Sequence, residues 1–416
     1  MAQLNLQRNT NVFMSSVDLS NGGAVTSLRP ANTWQVEILA GYAVSQATAT
    51  QDITSLESGL APDRSQQRFN TALNPVDWNF QAYLKPTGLE KTSGNTKVHS
   101  SSNSMPVADW FMWQALMSNT SWTTGTDLRS AWQDDGKFSL ATRVAAPNSA
   151  THTANFPSSS EYHLYFLMDN VVYQVSNATV NQATVDAAID GIATTTWTGF
   201  GTNLVELRAS ARDNAISVFG GVLNSGALIL ANANVGTMTA QAAYHPWNQY
   251  SATGTSSSAN FIKNRLSTIT IQHSPSEVGG GVTFTFPVTK LSFDYNNNIT
   301  YLTPEELNVL NSPIGQFAGA RAISGSLSAY LRAGSSDSAQ FLKQIVEDTR
   351  ASSALTSNAN LRIGGSTAPY FAVNLPAVHF ELPTHTIDDI IGVSVNFLAQ
   401  ETSKGSGDEL TIIVAK

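Results

Sequence analysis

Apolar and polar residues alternate along most of this chain, with the two-residue period of a half-buried β-strand. Residues 74–86, NPVDWNFQAYLKP, set Trp78, Phe80, Ala82 and Leu84 against Asp77, Asn79, Gln81 and Tyr83, between an Asn-Pro turn signal and a closing Lys-Pro. Similar Thr-, Val- and Phe-rich patterns occupy 33–44, 161–175, 282–295, 370–382 and 391–400, and all are predicted to be β structure. Helical spacing is rare. It appears at 105–117, with Val107, Trp110, Phe111 and Leu116, and at 336–349, with Phe341, Ile345 and Val346 on one face. Thr303-Pro304-Glu305-Glu306 carries the N-cap, first-turn proline and acidic residues of a short helical turn.

The pattern is written twice. RAISGSLSAYLRA, residues 321–333, repeats the rhythm of 74–86, and Ala82-Tyr83-Leu84 matches Ala329-Tyr330-Leu331 at an offset of about 247 residues. In each half the helix candidate follows, then a long apolar strand, an Asp-rich turn and a closing strand. We read an internal duplication, with Trp78, Phe80, Tyr83 and Leu84 on one copy of a core strand and Leu327, Tyr330 and Leu331 on the other. The match is inexact, since the second copy has SGSL where the first has DWNF. Residues 214–261 contain no charged side chain and end in a Gly/Ser/Thr-rich stretch, so they are expected to join a first domain, 1–213, to a second, 262–416.

Charged residues make up 12% of the chain, about half the usual share. Such a surface suits a subunit buried in an assembly. The net charge of −8 and the lack of any Lys/Arg cluster exclude the basic footprint that grips nucleic acid. With no cysteine there is no disulfide or thiolate site. No basic segment followed by an apolar one marks a signal peptide, and no apolar run approaches the roughly 20 residues that span a bilayer.

Candidate chemistry is sparse. The seven histidines include no HExxH pair, the closest being His379 and His385, and no nucleophile elbow, Walker loop or GxGxxG occurs. Neighbouring carboxylates such as Asp388-Asp389 fall in predicted turns. No catalytic, cofactor-binding or metal-ligating residue is expected, and the chain is not expected to be an enzyme.

One charge pattern stands out. No Lys or Arg lies between Arg143 and Arg208, or between Arg362 and Lys404, yet both intervals contain acids. These purely acidic stretches fall in the same part of each copy. A β-surface of that kind repels polyanions. Asp169, Asp186, Asp190, Asp388 and Asp389 are the candidates for a lumen or ring contact, or for exposed outer turns.

The stretches 33–59, FNTALNPVDWNFQAYLKP, VDAAIDGIATTTWTGFG and PAVHFELPTHTIDDIIGVSVNFLAQ resemble the tail tube proteins of long-tailed double-stranded DNA bacteriophages. The resemblance touches residues 33–211 and 262–416. It implies a β-sandwich or half-barrel with a flanking short helix, assembled into rings with a β-barrel lumen. Stacked rings would form a hollow tail tube in the virion, built from protein made in the host cytoplasm, through which DNA passes without specific binding. With two tube domains per chain, the expected ring is a trimer with pseudo-sixfold symmetry. The alternative is a hexamer with one half of each chain outside. Sheath, baseplate and tail terminator proteins are the expected further partners, and no membrane is. Competing readings are another virion component, such as a baseplate, sheath or capsid protein, or a β-sandwich surface-binding protein.

Overall fold

A computed structural model describes residues 10–15, 18–20, 33–36, 38–53, 67–84, 91–93, 96–98, 110–117, 137–141, 163–168, 171–207, 262–273, 282–303, 311–334, 336–350, 357–365, 369–386 and 390–415. The first half contains β1 (Thr10–Ser15), β2 (Thr33–Val36), β3 (Ala43–Ile53), β4 (Gln67–Tyr83), β5 (Lys91–Ser93), β6 (Thr96–Val98), α1 (Trp110–Met117), β7 (Lys137–Ala141), β8 (His163–Met168), β9 (Val171–Ser176), β10 (Thr179–Ala188), β11 (Thr194–Gly201) and β12 (Asn203–Glu206). The second contains β13 (Thr268–His273), β14 (Val282–Pro287), β15 (Lys290–Asn296), β16 (Ile299–Leu302), β17 (Gly315–Ala318), β18 (Ala322–Tyr330), α2 (Ser338–Arg350), β19 (Ser357–Gly364), β20 (Tyr370–Phe380), β21 (Thr384–Thr386), β22 (Gly392–Gln400) and β23 (Thr411–Ala415). The fold is mainly β, with antiparallel sheets.

Strand order in the first half recurs in the second. One five-stranded sheet runs β12-β9-β8-β1-β2, and the second half pairs β23-β20-β19-β13-β14 in the corresponding places. The other sheet of the first half runs β3-β4-β11-β10; its counterpart runs β15-β18-β22, with the end of β20 and then β21 on the far side of β22. The two four-strand units are joined by β10 pairing antiparallel with β15, from Gln182↔Asn296 to Ala188↔Lys290. A single ladder therefore crosses from one half to the other.

Several predicted strands are divided by the sheet topology. The run 33–44 becomes β2 and the start of β3, which lie in different sheets. The run 161–175 is the hairpin β8–β9, and 282–295 splits into β14 and β15. Pro75, expected to mark a turn, instead lies inside β4, where the register shifts between Gln46 and Thr48 of the neighbouring strand. A bulge tolerates a residue with no N–H to donate. The helical turn expected at 303–307 lies, from residue 304 on, outside the described residues, as does the insert 214–261.

Alternation sorts the duplicated strand as period 2 requires. Trp78, Phe80, Leu84 and Leu327 are buried and Leu331 packs half-buried on the same core, whereas Tyr83 and Tyr330 point outward at 40% and 45% exposure. The tyrosines thus belong to the strand but not to its core. One core cluster joins both halves. Trp113 of α1 packs edge-on against Trp197 of β11 (4.8 Å between centroids) and at a tilt against Phe371 of β20 (5.8 Å). Asn297, beside the β10:β15 junction, donates Nδ2–H to the Leu116 carbonyl of α1 at 2.8 Å. β7, from the segment after α1, crosses to the second half and pairs with β23.

The sequence difference between DWNF and SGSL has a packing explanation. Trp78 on β4 faces Gly199 on β11; in the second half Gly325 on β18 faces Phe397 on β22. Trp78 and Gly325 are equivalent positions, as are Gly199 and Phe397. Each pair keeps one aromatic ring over one glycine, with the roles exchanged. A Cβ at Gly199 would lie 1.9 Å from the Thr179 carbonyl and 2.2 Å from the Trp78 ring, and one at Gly325 would lie 2.3 Å from the Phe397 ring. Gly199→Ala and Gly325→Ala are each expected to destabilise the protein by about 1–3 kcal/mol or more by overpacking. Gly315→Ala, with nothing within 4 Å of its Cβ, should be near neutral. Urea denaturation compares the three, and equal midpoints would contradict the packing argument.

A buried polar cluster lies where β1, β8 and β9 meet. Asp18 Oδ1 accepts from Gln174 Nε2 at 2.5 Å and from the Ser20 amide at 2.9 Å, and the Asn177 amide donates to His163 Nδ1 at 3.3 Å. For Asp18, burial alone would raise the pKa, but hydrogen bonds from Gln174 and Ser20 outweigh it and the carboxyl titrates low. Burial lowers the His163 pKa below its ordinary 6.5, against the opposing attraction of Asp18. The unfolded chain then binds the proton more readily than the native one, so stability is full above about pH 6.5 and falls as pH drops toward the native pKa. Thermal melts should show that acid-side decline, and His163→Gln should flatten it.

Candidate functional site

The continuous sheet has one face on the core and one open. Across the open face the paired residues form rows. One row is Gln81, Thr196, Thr184, Asp294, Ser324 and Leu398, from β4 through β11, β10, β15 and β18 to β22. The next is Tyr83, Thr194, Asp186, Ser292, Ser326 and Asn396. Neither row breaks at the junction between halves. Their alternating neighbours, including Phe80, Trp197, Val185, Phe293, Ile323, Val395 and Phe397, are buried in the core.

Hydroxyls and amides dominate this face, and they bond sideways to one another. Gln182 Nε2 and Thr184 Oγ1 both donate to Asp294 Oδ1, at 2.7 and 2.6 Å, across the β10:β15 junction. Gln81 Nε2 donates to Thr196 Oγ1 at 3.0 Å. On the same face Asn396 Nδ2 donates to Glu381 Oε2 at 2.9 Å, beside β21. On the described strands from β4 (76–83) to β22 the open face carries three carboxylates, Asp77, Asp186 and Asp294, and one amine, Lys290. Partial burial raises the pKa of Asp77. A surface with this lateral bonding and few cations offers phosphate little to bind. Among the described residues no group of three or more His, Asp or Glu is placed to hold a metal ion.

Of the five acidic candidates, Asp186 lies on this open face. Asp190 lies in the exposed turn after β10, where its Oδ1 accepts from Arg265 Nη2 at 2.8 Å. That guanidinium comes from the beginning of the second half, so the cation-free interval in sequence is not cation-free in space. Asp169, Asp388 and Asp389 lie outside the described residues. Sequence reasoning missed Asp77 and Asp294 because neither falls in a cation-free interval. Their polar positions in alternating strands were the available signal.

The edges of this sheet are as distinctive as its face. β3 pairs only with β4, and β21 only with β22, among the described residues. Beyond β11 the β3–β4 ladder continues through residues 48–53 and 67–74, with an exposed Arg68–Asp52 pair at 2.5 Å near the end of its described residues. Gln46 reaches from β3 to the neighbouring sheet, accepting from the Leu204 amide at 3.0 Å and donating to the Thr202 carbonyl at 3.2 Å. That contact blunts part of the β12 edge.

The sequence also matches a known family. Residues 88–399 match the phage tail tube protein family. Over 416 residues, covering 98% of this chain and 75% of the relative, the chain is 28% identical to tail tube protein pb6 of Escherichia phage T5. A chain of the anti-feeding prophage baseplate, solved by cryo-electron microscopy, aligns with 36% of this chain and 92% of its own length at 10% identity; its TM-score of 0.27 is too low to bear on the fold. Since the family match extends over well more than half of its length, the chain belongs to the phage tail tube protein family and is a structural component of the virion tail.

Proposed function

We propose that residues 1–213 and 262–416 are tandem tube domains, and that three chains close into a ring of true threefold and pseudo-sixfold symmetry. The observation that carries this reading is the doubled strand order with β10 paired to β15. That pairing is a domain-to-domain contact of a kind that can repeat, because each domain offers the same two edges. Segment 214–261 joins the domains in sequence.

Rings stack into a hollow tube whose inner wall is the open polar face, and DNA passes along it into the host. The wall works by weak interaction. Several of its amides and hydroxyls are engaged by Asp294, Glu381 and Thr196, and its net negative charge keeps the phosphate backbone from adhering. The baseplate and tail terminator cap the tube, and a sheath surrounds it in contractile tails.

End-on averages of the assembled protein in the electron microscope should show threefold rings with six similar lobes. Sixfold rings with one lobe of each chain projecting outward would overturn the three-chain arrangement and keep the tube. A chain that never assembles, even on baseplates, would overturn the tube itself.

The wall has its own test. Virions carrying Asp186→Lys with Ser326→Lys, on either side of Ser292 in one row of the face, should eject DNA more slowly at low salt, with the difference shrinking as salt rises. Unchanged ejection at every salt concentration would remove this face from the lumen.

A further inference from the structure

The junction inside the chain is a template for the junction between chains. We propose that the outer edge of β21 pairs antiparallel with the outer edge of β3 in a second copy, with Thr384 opposite Ser45 and Thr386 opposite Ala43. This rests on the three-chain ring proposed above and adds the edges and the register that close it.

The register follows from tracing equivalent residues through their pairing partners. Tyr83 and Tyr330 are equivalent; Tyr83 pairs with Thr194 and Tyr330 with Gly392. Thr194 pairs in turn with Asp186, and Gly392 with Thr386, so Asp186 and Thr386 are equivalent. On the other side, Asn79 and Ser326 are equivalent and pair with Ala43 and Ser292 respectively. Within the chain Asp186 lies opposite Ser292. Between chains the same relation sets Thr386 opposite Ala43. One step along the same face, Thr184 opposite Asp294 becomes Thr384 opposite Ser45.

Three observations favour a second copy as the occupant. Both edges are unpaired among the described residues, and an exposed edge is a template for strand addition. The segment after β10 contains Ile189-Asp190-Gly191-Ile192 and the segment after β21 contains the similar sequence Ile387-Asp388-Asp389-Ile390, with the connection to the next strand two residues shorter in the second half. Side-chain parity is also preserved. Thr384 and Ser394 share a face, as do Ser45 and Asp77, and pairing Thr384 with Ser45 carries the polar rows across the seam without inverting them.

The seam differs from its template in one respect. Within the chain β7 crosses from the long segment between α1 and β8 to pair with β23. Only six residues separate α2 from β19, too few to supply such an arm to the next copy. The contact between chains is therefore expected to open before the contact within them.

The chain contains no cysteine, so disulfide trapping reads this register against a clean background. Directly opposed residues on antiparallel strands have Cα separations of about 4.5–5.5 Å, within reach of a disulfide. Assembled Ser45→Cys/Thr384→Cys protein, oxidised and run without reductant, should give covalent dimers and trimers and nothing larger. Mixing the two single variants should give dimers, which proves that the bond joins different chains. Thr184→Cys/Asp294→Cys should crosslink within one chain. A ladder ending at six would keep the seam and overturn the three-chain ring. Tubes that assemble normally but crosslink at neither this pair nor Ala43→Cys/Thr386→Cys would overturn the seam and leave the tube standing. If the substitutions block assembly, hydrogen exchange on the unaltered protein decides. Amides of 43–47 and 384–386 should gain protection on assembly, and unchanged exchange at either edge would overturn the pairing.

Discussion

An unpaired strand edge presents a row of backbone donors and acceptors, and the architecture of this protein follows from how its edges are satisfied. Inside the chain the problem is solved by pairing β10 with β15 over Gln182–Ala188 and Lys290–Asn296. That ladder turns two four-strand units into one sheet and aligns their open faces. Other contacts reinforce it unequally. The Asp190–Arg265 pair beside it is exposed on both sides, at 77% and 74%, and contributes little after screening. The buried contacts of Trp113 with Trp197 and Phe371, and of Asn297 with the Leu116 carbonyl, exclude water and weigh more.

The exchange of Trp78/Gly199 for Gly325/Phe397 shows what duplication preserves. A sandwich core needs a filled volume between its sheets, and either of two facing strands can supply the ring if the other yields the space. The two halves therefore keep the same strand order with different residues at the same point. Their outer surfaces are free to diverge, as the β7 arm shows.

The open face is specialised by what it lacks. A strand surface of Thr, Ser, Asn and Gln could bind phosphate through its donors, but here Gln182 and Thr184 spend theirs on Asp294 and Gln81 spends one on Thr196. The same residues that stiffen the sheet also make it a poor ligand for a polyanion. If this face lines the tube as proposed, structural and functional demands coincide on it.

Much of this was legible in the residues alone. The two-residue period identified the strands, sorted Trp78 and Phe80 from Asp77 and Asn79, and exposed the second copy through Tyr330 and its neighbours, because side-chain alternation is a local property of extended backbone. The same locality limited it. Residues 33–44 keep an apolar residue at every even position although β2 and β3 belong to different sheets, and Pro75 resembles a turn until a bulge accommodates it. Cation-free intervals drew attention to Asp190, which an arginine 75 residues away neutralises in space, and passed over Asp77 and Asp294. Composition and period determined that this is a weakly charged β protein whose pattern is written twice. Only the tertiary structure decided which edges meet and which polar rows line up, because strand pairing joins residues more than a hundred positions apart through backbone groups that every sequence shares.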